Sequence, residues 1–130
     1  MKTPKFSITN KTKINPSISG LIFRKIKDEI LGKEYELSVA FENSKAMRKL
    51  NRTYRDKDYA TDILSFPISK TEGEIIICEK IANKKSKLHS REPENFLYFL
   101  FIHGLLHLKG MEHSSRMDRE EEKFRTKFGI

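Results

Sequence analysis

At 130 residues the chain is long enough to bury one core but too short to divide comfortably into two domains, so we expect residues 1–130 to form a single domain. Hydrophobic residues make up 37% of the chain and include nine Phe, which excludes disorder throughout. The formal net charge of +8 favours a polyanion such as nucleic acid, although anionic membranes and acidic proteins would also feel this field.

The chain begins with a predicted strand and a predicted helix. Residues 5–10 alternate weakly between apolar and polar side chains and predict an edge strand. Residues 17–31 predict a helix, which Gly32 is well placed to end. The apolar side of this helix is predicted to carry Leu21, Ile22, Ile26, Ile30 and Leu31.

A second strand and helix follow. Residues 35–42 alternate in the manner of a strand, with one face formed by Tyr35, Leu37, Val39 and Phe41. Residues 43–55 then predict a helix that is capped by Asn43 or Ser44.

The middle of the chain predicts two more strands, residues 63–69 and 74–78, joined by a turn through Lys70 to Gly73. The single cysteine, Cys78, cannot form an internal disulfide and lies in an apolar run, so we interpret it as a buried thiol without a chemical role. The basic residues 81–91 predict a short mobile segment.

A long helix is predicted to start near Pro93, with Glu92 and Glu94 complementing the positive end of its dipole. The apolar run within it, residues 96–108, is shorter than the roughly 20 residues that span a bilayer. With no apolar N-terminal segment of signal-peptide length, we expect a soluble, cytoplasmic protein. Residues 114–128 predict a last helix, loosely packed on the outside, in which Ser115 and Asp118 are spaced as a capping box.

Three of the four histidines lie within residues 103–113. His103 and His107 are four residues apart on the predicted helix, so both imidazoles can face one metal ion. Gly110 can end the helix in the left-handed conformation, and the reversing chain then brings His113 toward the same ion. Three imidazoles suit zinc and leave its fourth tetrahedral position open, where zinc-bound water can be deprotonated near neutral pH.

Three other interpretations of these histidines exist. His103 and His107 can be ordinary core residues with His113 at the surface. A structural zinc site usually recruits a fourth protein ligand, often cysteine, but Cys78 lies in a buried strand. The spacing also equals that of the metzincin metalloproteases, in which the residue after the first histidine is the general-base glutamate. Here that residue is Gly104, so the ligands are present without the peptidase base.

Helical projection of residues 45–55 places five basic side chains on one stripe, opposite an apolar side. Such a stripe is typical of a surface that contacts nucleic-acid phosphates, although many basic helical faces are merely solvated. Its members are Lys45, Arg48, Lys49, Arg52 and Arg55.

Arg55 is our candidate for a catalytic cation, because phosphodiester cleavage concentrates negative charge on the phosphate oxygens. Its structural alternative is an ion pair with Asp56, Asp58 or Asp62. Thr61, Asp62 and Glu74 are expected to be structural, although Asp62 can orient Arg55 or a metal ligand, and His89 is expected to be merely exposed.

The sequence resembles the YbeY-type endoribonucleases, whose hallmark is H-G-x-L-H-L-x-G-Y-D-H. Residues 103–113, HGLLHLKGMEH, match it except that Met111 and Glu112 replace Tyr and Asp, which puts the surroundings of His113 in question. Residues 50–66, LNRTYRDKDYATDILSF, are similar to the family segment LN-x-x-YR-x-x-D-x-x-TDVLSF, in which Arg55 matches the arginine. GEIIIC, residues 73–78, is similar to the strand that follows.

The resemblance implies an α+β fold, a small mixed four-stranded sheet packed with helices, with one Zn²⁺ held by His103, His107 and His113 on the long helix and its following turn. It implies a single-strand endoribonuclease in 16S ribosomal RNA maturation and ribosome quality control. Ribosomal RNA and the small ribosomal subunit would be partners, with ribosomal proteins or an assembly GTPase as further candidates. Two alternatives remain: a non-catalytic, zinc-braced ribosome-assembly factor and a metallopeptidase.

Overall fold

The computed structural model describes residues 5–12 and 19–130, and over these residues it contains four strands and five helices. The strands are β1 (Phe6–Asn10), β2 (Glu36–Phe41), β3 (Ile63–Ser69) and β4 (Glu72–Ile77). The helices are α1 (Gly20–Leu31), α2 (Ser44–Arg55), α3 (Glu79–Leu88), α4 (Pro93–Leu108) and α5 (Ser115–Phe128). The predicted α+β class is confirmed.

The strands form one mixed sheet in the order β1-β2-β4-β3. β1 is parallel to β2 and β2 is parallel to β4, whereas β3 returns antiparallel to β4. β1 is therefore an edge strand, as predicted, and β3 is the edge on the other side. The turn between β3 and β4 is tighter than the predicted one, because Ser69 already pairs with Glu72 and leaves only Lys70 and Thr71 between the strands.

Alternating side chains of the sheet enter two cores. The larger core lies under α1 and α4 and takes the odd-numbered apolar residues of the two central strands, Leu37, Val39, Phe41, Ile75 and Ile77. The smaller core includes Met47 of α2 and takes Ala40, Leu64, Ile76 and the fully buried Cys78. Because α2 thus packs on the face opposite α4, its basic side is left to face the solvent.

Helix α4 is the central element of the larger core, and nine of its sixteen residues are buried. It begins at Pro93, as predicted, where the missing N–H of proline costs no hydrogen bond. In the part of the chain that the structure describes, no helix combines the length and apolar character needed to cross a bilayer.

Helix α1 buries the predicted stripe at Ile26 and Ile30 but not in its first turn. Phe23, Ile26 and Ile30 face the core, while Leu21 and Ile22 in its first turn are 62% and 36% exposed. The burial therefore follows the i, i+3, i+7 pattern that starts at Phe23. Gly32 ends the helix as predicted, with φ 93° and its N–H donating to the Asp28 carbonyl, and residues 17–18 of the predicted helix lie outside the described residues.

The prediction of a mobile segment at residues 81–91 is wrong, because most of it belongs to α3. Ala82 and Ser86, one turn apart, are fully buried. Small side chains at this spacing let α3 lie close to α4, and they give little apolar signal in the sequence.

Helix α5 is anchored more firmly than predicted. Met117 and Phe124 are only 1% and 5% exposed and belong to the larger core. Its cap is Ser114, whose hydroxyl oxygen accepts from the Met117 N–H at 3.2 Å, so the predicted capping box at Ser115 is wrong. The anchored helix presents one side to the end of α4.

Candidate metal centre

The end of α4 brings two imidazoles face to face. The ring centroids of His103 and His107 are 4.6 Å apart, and their Nε2 atoms are separated by 3.0 Å. Both side chains are partly buried, because they emerge from a helix that is otherwise packed in the core. The spacing of four residues on a helix thus has the predicted effect.

The turn after α4 adds the third histidine. Gly110 has φ 101°, and the Met111 N–H donates to the Leu106 carbonyl at 3.0 Å, which reverses the chain. The ring of His113 then lies 5.1 Å from that of His103 and 4.9 Å from that of His107. One potential ligand atom from each histidine lies within 4.8 Å of the others, so the three can hold one metal ion.

The hydrogen bonds of the two helical histidines fix which ring nitrogens carry protons. His107 Nδ1 lies 3.0 Å from the Met111 carbonyl oxygen, and only an N–H can donate to that acceptor. His103 Nδ1 contacts the Glu121 carboxylate, which also requires a donor. In the neutral rings both Nε2 atoms are therefore unprotonated, and two lone pairs at 3.0 Å repel unless a cation lies between them.

Burial also keeps His107 suited to bind a metal. The pKa of His107 is lowered mainly by desolvation, with a further contribution from the neighbouring charge of His103. A lower pKa means that the ring is neutral at pH 7, and a metal does not have to displace a proton from it.

Glu121 is a site residue that the sequence analysis missed. It projects from α5 onto His103, with its side chain only 12% exposed. It stands in a run of three glutamates, residues 120–122, and only the docking of α5 on α4 decides which of them faces inward. A carboxylate behind a metal-binding imidazole orients the ring and increases its basicity.

The three histidines open into a cavity of about 620 Å³ between the end of α4, the end of α2 and strand β3. Arg55, from the last turn of α2, lines the same cavity. Its guanidinium donates to the carbonyls of Tyr54 and Ser65 at 3.2 and 2.9 Å and lies 4.9 Å from the ring centroid of Phe66. These contacts hold the side chain at the cavity wall.

Arg55 makes no ion pair with any described residue, so the alternative of a structural salt bridge is wrong. Asp58 pairs with Arg48 at 2.9 Å, and Asp62 pairs with Lys85 of α3 at 3.2 Å. The positive charge of Arg55 is thus left available to an anion in the cavity. Asp62 also bonds neither Arg55 nor a histidine, and its expected structural role is the one observed.

The other basic side chains of α2 line a second surface cavity, which agrees with the prediction that they share one side of the helix. Arg48 donates two hydrogen bonds to Asp58, and Arg52 lies 3.8 Å from the same carboxylate. The Arg48 hydrogen bond lowers the pKa of Asp58, which therefore stays charged and offsets part of the stripe. Lys45 and Lys49 have no ion pair among the described residues, and they line the cavity together with Arg48 and Arg52.

The remaining candidates lie at the margin of the site or away from it. Thr61 and Glu112 line the cavity of the histidines, whereas Glu74 does not and stands opposite Phe66 in the sheet. His89 is exposed, as expected, with its ring stacked 5.5 Å from Phe96.

Comparison with known proteins agrees with this geometry. The family model described as "Endoribonuclease YbeY" matches residues 2–128 of the chain. The chain belongs to the YbeY family. The curated YbeY endoribonucleases of Staphylococcus aureus strains JH9 and Newman are each 36% identical over 109 residues, covering 73% of this chain and 70% of theirs. The solution structure of TM1509 from Thermotoga maritima superposes with a TM-score of 0.66 at 25% identity, covering 95% of this chain and 88% of that one.

The two residues that depart from the YbeY hallmark, Met111 and Glu112, both line the cavity of the histidines. The contact to His107 uses the backbone carbonyl of Met111, which any side chain at this position would provide. Glu112 is exposed at the rim of the cavity, so its extra methylene relative to Asp meets no packed neighbour. The one hydrogen bond that this segment makes to the histidines, from His107 to the Met111 carbonyl, is thus independent of both side chains.

The glycine of the YbeY hallmark has a packing reason in this chain. A Cβ on Gly104 would lie 2.9 Å from both Ile63 Cδ1 and Ser65 Oγ of β3, and Ser65 also donates to the Gly104 carbonyl at 3.3 Å. Any side chain here would therefore require the Ile63 and Ser65 side chains of β3 to shift. The position that carries the metzincin glutamate is thus a closely packed glycine, which supplies no general base for a peptidase.

We expect Gly104→Ala to lower the free energy of unfolding by about 1 kcal/mol or more, because overpacking outweighs the helix propensity gained from alanine. Urea denaturation measures this change. The matched control is Gly20→Ala in the first turn of α1, where the nearest atom to the new Cβ would be Ile8 Cδ1 at 3.7 Å. Gly20→Ala should be neutral or stabilising; a stabilised Gly104→Ala would contradict the close approach.

Replacing Glu121 with glutamine should weaken metal binding by about 10- to 100-fold, because the amide still contacts His103 but no longer supplies a charge. Competition with a chromophoric chelator measures the affinity. Glu122→Gln removes the same charge from an exposed neighbour on α5 and should leave the affinity unchanged. Equal affinities for the Glu121 variant and the wild type would show that this carboxylate does not support the ligand.

Proposed function

We propose that this chain is a zinc-dependent endoribonuclease that cuts single-stranded RNA. We further propose that it acts in 16S ribosomal RNA maturation and in ribosome quality control, with the small ribosomal subunit as its partner. The observation that carries the proposal is one cavity in which three convergent imidazoles lie beside an arginine that has no ion pair among the described residues.

The residues fit zinc in number and in chemistry. His103, His107 and His113 would hold it through ring nitrogens, and three protein ligands leave one tetrahedral position for water or substrate. The lowered pKa of the partly buried His107 and the carboxylate behind His103 both favour a divalent cation. When bound, zinc would act as a Lewis acid that activates water and polarises a phosphate oxygen.

In this proposal Arg55 binds the phosphate that is attacked. The Ser65 and Tyr54 carbonyls already hold its guanidinium, so little side-chain entropy is lost when the remaining N–H groups meet a phosphate. Negative charge grows on the phosphate oxygens during cleavage, and a fixed guanidinium stabilises that charge without reorganising. Arg55 would thus lower the barrier more than it strengthens substrate binding.

The basic face of α2 would bind the part of the RNA strand that extends beyond the metal centre. From Arg55 to Lys45 the helix extends by about 15 Å. Lys45, Arg48, Lys49 and Arg52 would neutralise successive phosphates along it, with Asp58 reducing the contribution of the two arginines. Contacts of this kind hold the backbone without selecting a base, which fits a substrate that is recognised as a single strand.

Cleavage of a labelled single-stranded RNA by the purified protein tests the proposal. We expect cutting that stops in the presence of EDTA and returns when a stoichiometric amount of zinc is restored. Metal analysis of the same preparation should give one ion per chain. Zinc-bound protein that leaves every RNA uncut would overturn the proposal and favour the non-catalytic assembly factor, whereas zinc-dependent cutting of unfolded proteins would favour a peptidase.

A further inference from the structure

A second cluster of positive charge lies between α4 and α5, outside the cavity of the histidines. The guanidinium carbon of Arg91 is 4.7 Å from the ring centroid of Phe99, and that of Arg125 is 5.4 Å from the same centroid. Phe99 is only partly buried, and neither arginine lines the cavity of the metal centre. Two guanidinium groups thus share one aromatic ring.

Both arginines are held in place by their surroundings. Arg91 lies in the loop before α4, where its N–H donates to the carbonyl of the buried Ser86 at 2.9 Å and its guanidinium contacts the Asn95 side chain. Arg125 follows Phe124, which anchors α5 in the larger core. The pair is therefore part of the packed structure and does not consist of two freely moving surface side chains.

The cluster lacks the negative charge that such a pair needs. Neither Arg91 nor Arg125 is within ion-pair distance of a carboxylate among the described residues, and Arg125 Nε is buried without a hydrogen-bond partner. The pKa of Arg91 is lowered by desolvation and then by the charge of Arg125, so each guanidinium raises the free energy of the other. An anion bound at the pair would offset this repulsion through charge-assisted hydrogen bonds.

We propose that Arg91 and Arg125 form a second phosphate-binding site, which holds a backbone phosphate of the RNA outside the metal centre. This identity of the ligand rests on the proposed function. A phosphate is the oxyanion that best fits two planar guanidinium forks, because its tetrahedral oxygens accept from two directions at once. The net charge of +8 also favours a nucleic acid over isolated small anions.

The position of the pair gives the site a defined relation to the metal centre. Phe99 lies one turn before His103 on α4, and Arg125 lies one turn after Glu121 on α5. The two sites are therefore separated by about 6 Å along the axis of α4. A strand held at both sites would be fixed along α4 as well as at the basic side of α2.

Binding of a fluorescent single-stranded oligonucleotide to EDTA-treated protein, measured at several salt concentrations, tests the proposal without requiring cleavage. We expect R125Q to weaken binding about tenfold at low salt and to reduce the slope of log affinity against log salt by about 0.7, the value for one phosphate of a single strand. K123Q removes the same charge two positions away on α5, from a side chain that is 68% exposed, and should leave the slope unchanged. Inorganic phosphate should weaken oligonucleotide binding by the wild type more than by R125Q.

If R125Q and K123Q lost the same affinity for the oligonucleotide, the loss would reflect only the lower net charge, and the proposal would be overturned. If R125Q is less stable than the wild type, the same measurement is made with R91Q, which changes the loop before α4. An unchanged salt slope in R91Q would likewise overturn the proposal. Preferential binding of a polyglutamate peptide would point to an acidic protein partner and would also overturn it. If the salt slope depends on Arg125 but the protein does not cut RNA, the phosphate-binding site is supported and the proposed activity is not.

Discussion

Replacing His107 with alanine is expected to abolish RNA cleavage and to weaken zinc binding by more than about 100-fold, beyond the range seen when only a supporting residue is lost. His107 is the proposed ligand with the most fixed ring, because its Nε2 faces His103 at 3.0 Å and its Nδ1 contacts the Met111 carbonyl. Without it, His103 and His113 leave two ligands, which is too few to hold a catalytic zinc. Metal analysis and cleavage of single-stranded RNA measure the two effects.

The fourth histidine offers a matched control. His89 lies outside the cluster with its ring exposed, so His89→Ala should retain both metal and cleavage. A thermal melt of each variant in EDTA separates loss of the ligand from loss of the fold. If the His107 variant still cut RNA at the wild-type rate, the observed cleavage would come from a contaminating nuclease or from another site.

Replacing Arg55 with glutamine should lower kcat by about 10²- to 10³-fold, the effect of removing one fixed donor to a charged transition state. Metal content and thermal stability should change little, because Arg55 is exposed and makes no ion pair in the described structure. KM should rise less than kcat falls, since the proposed contact strengthens as charge develops on the phosphate. Arg55→Lys should recover only part of the rate, because an ammonium cannot reproduce the planar fork.

Steady-state kinetics with saturating zinc measure these changes. Arg24→Gln, on the exposed side of α1, removes the same charge far from the cavity and should leave kcat unchanged. A rise in KM with an unchanged kcat would place Arg55 among the residues that only bind RNA. A loss of bound metal in the Arg55 variant would instead indicate that the side chain supports the centre structurally.

Local patterns in the sequence were enough to predict that the three histidines come together. The spacing of His103 and His107 on an apolar helix and the glycine at position 110 determine their arrangement within one short segment, and the structure brings the three imidazoles together as expected. The same holds for the alternating strand β2, whose buried face follows directly from its sequence. These features depend on neighbours within about one or two helical turns.

Features that depend on how distant elements dock could not be predicted in the same way. Glu121 reaches His103 across 18 positions of sequence, and its two neighbouring glutamates have the same composition and helical context. Helix α3 was missed because its buried residues, Glu79, Ala82 and Ser86, are charged or small and do not form an apolar stripe. In both cases the packing against α4 decides the outcome, and packing is a property of the assembled fold.

Strand β3 borders the cavity as an edge of the sheet, and an open edge can recruit a strand from another molecule and so begin aggregation. This edge is a poor template for such growth. Pro67 has no N–H to offer, the pairing with β4 is irregular between Pro67 and Ser69, and the Ser65 carbonyl is already bonded to Arg55. The edge of β3 beside the cavity can therefore stay accessible without serving as a template for strand pairing between molecules.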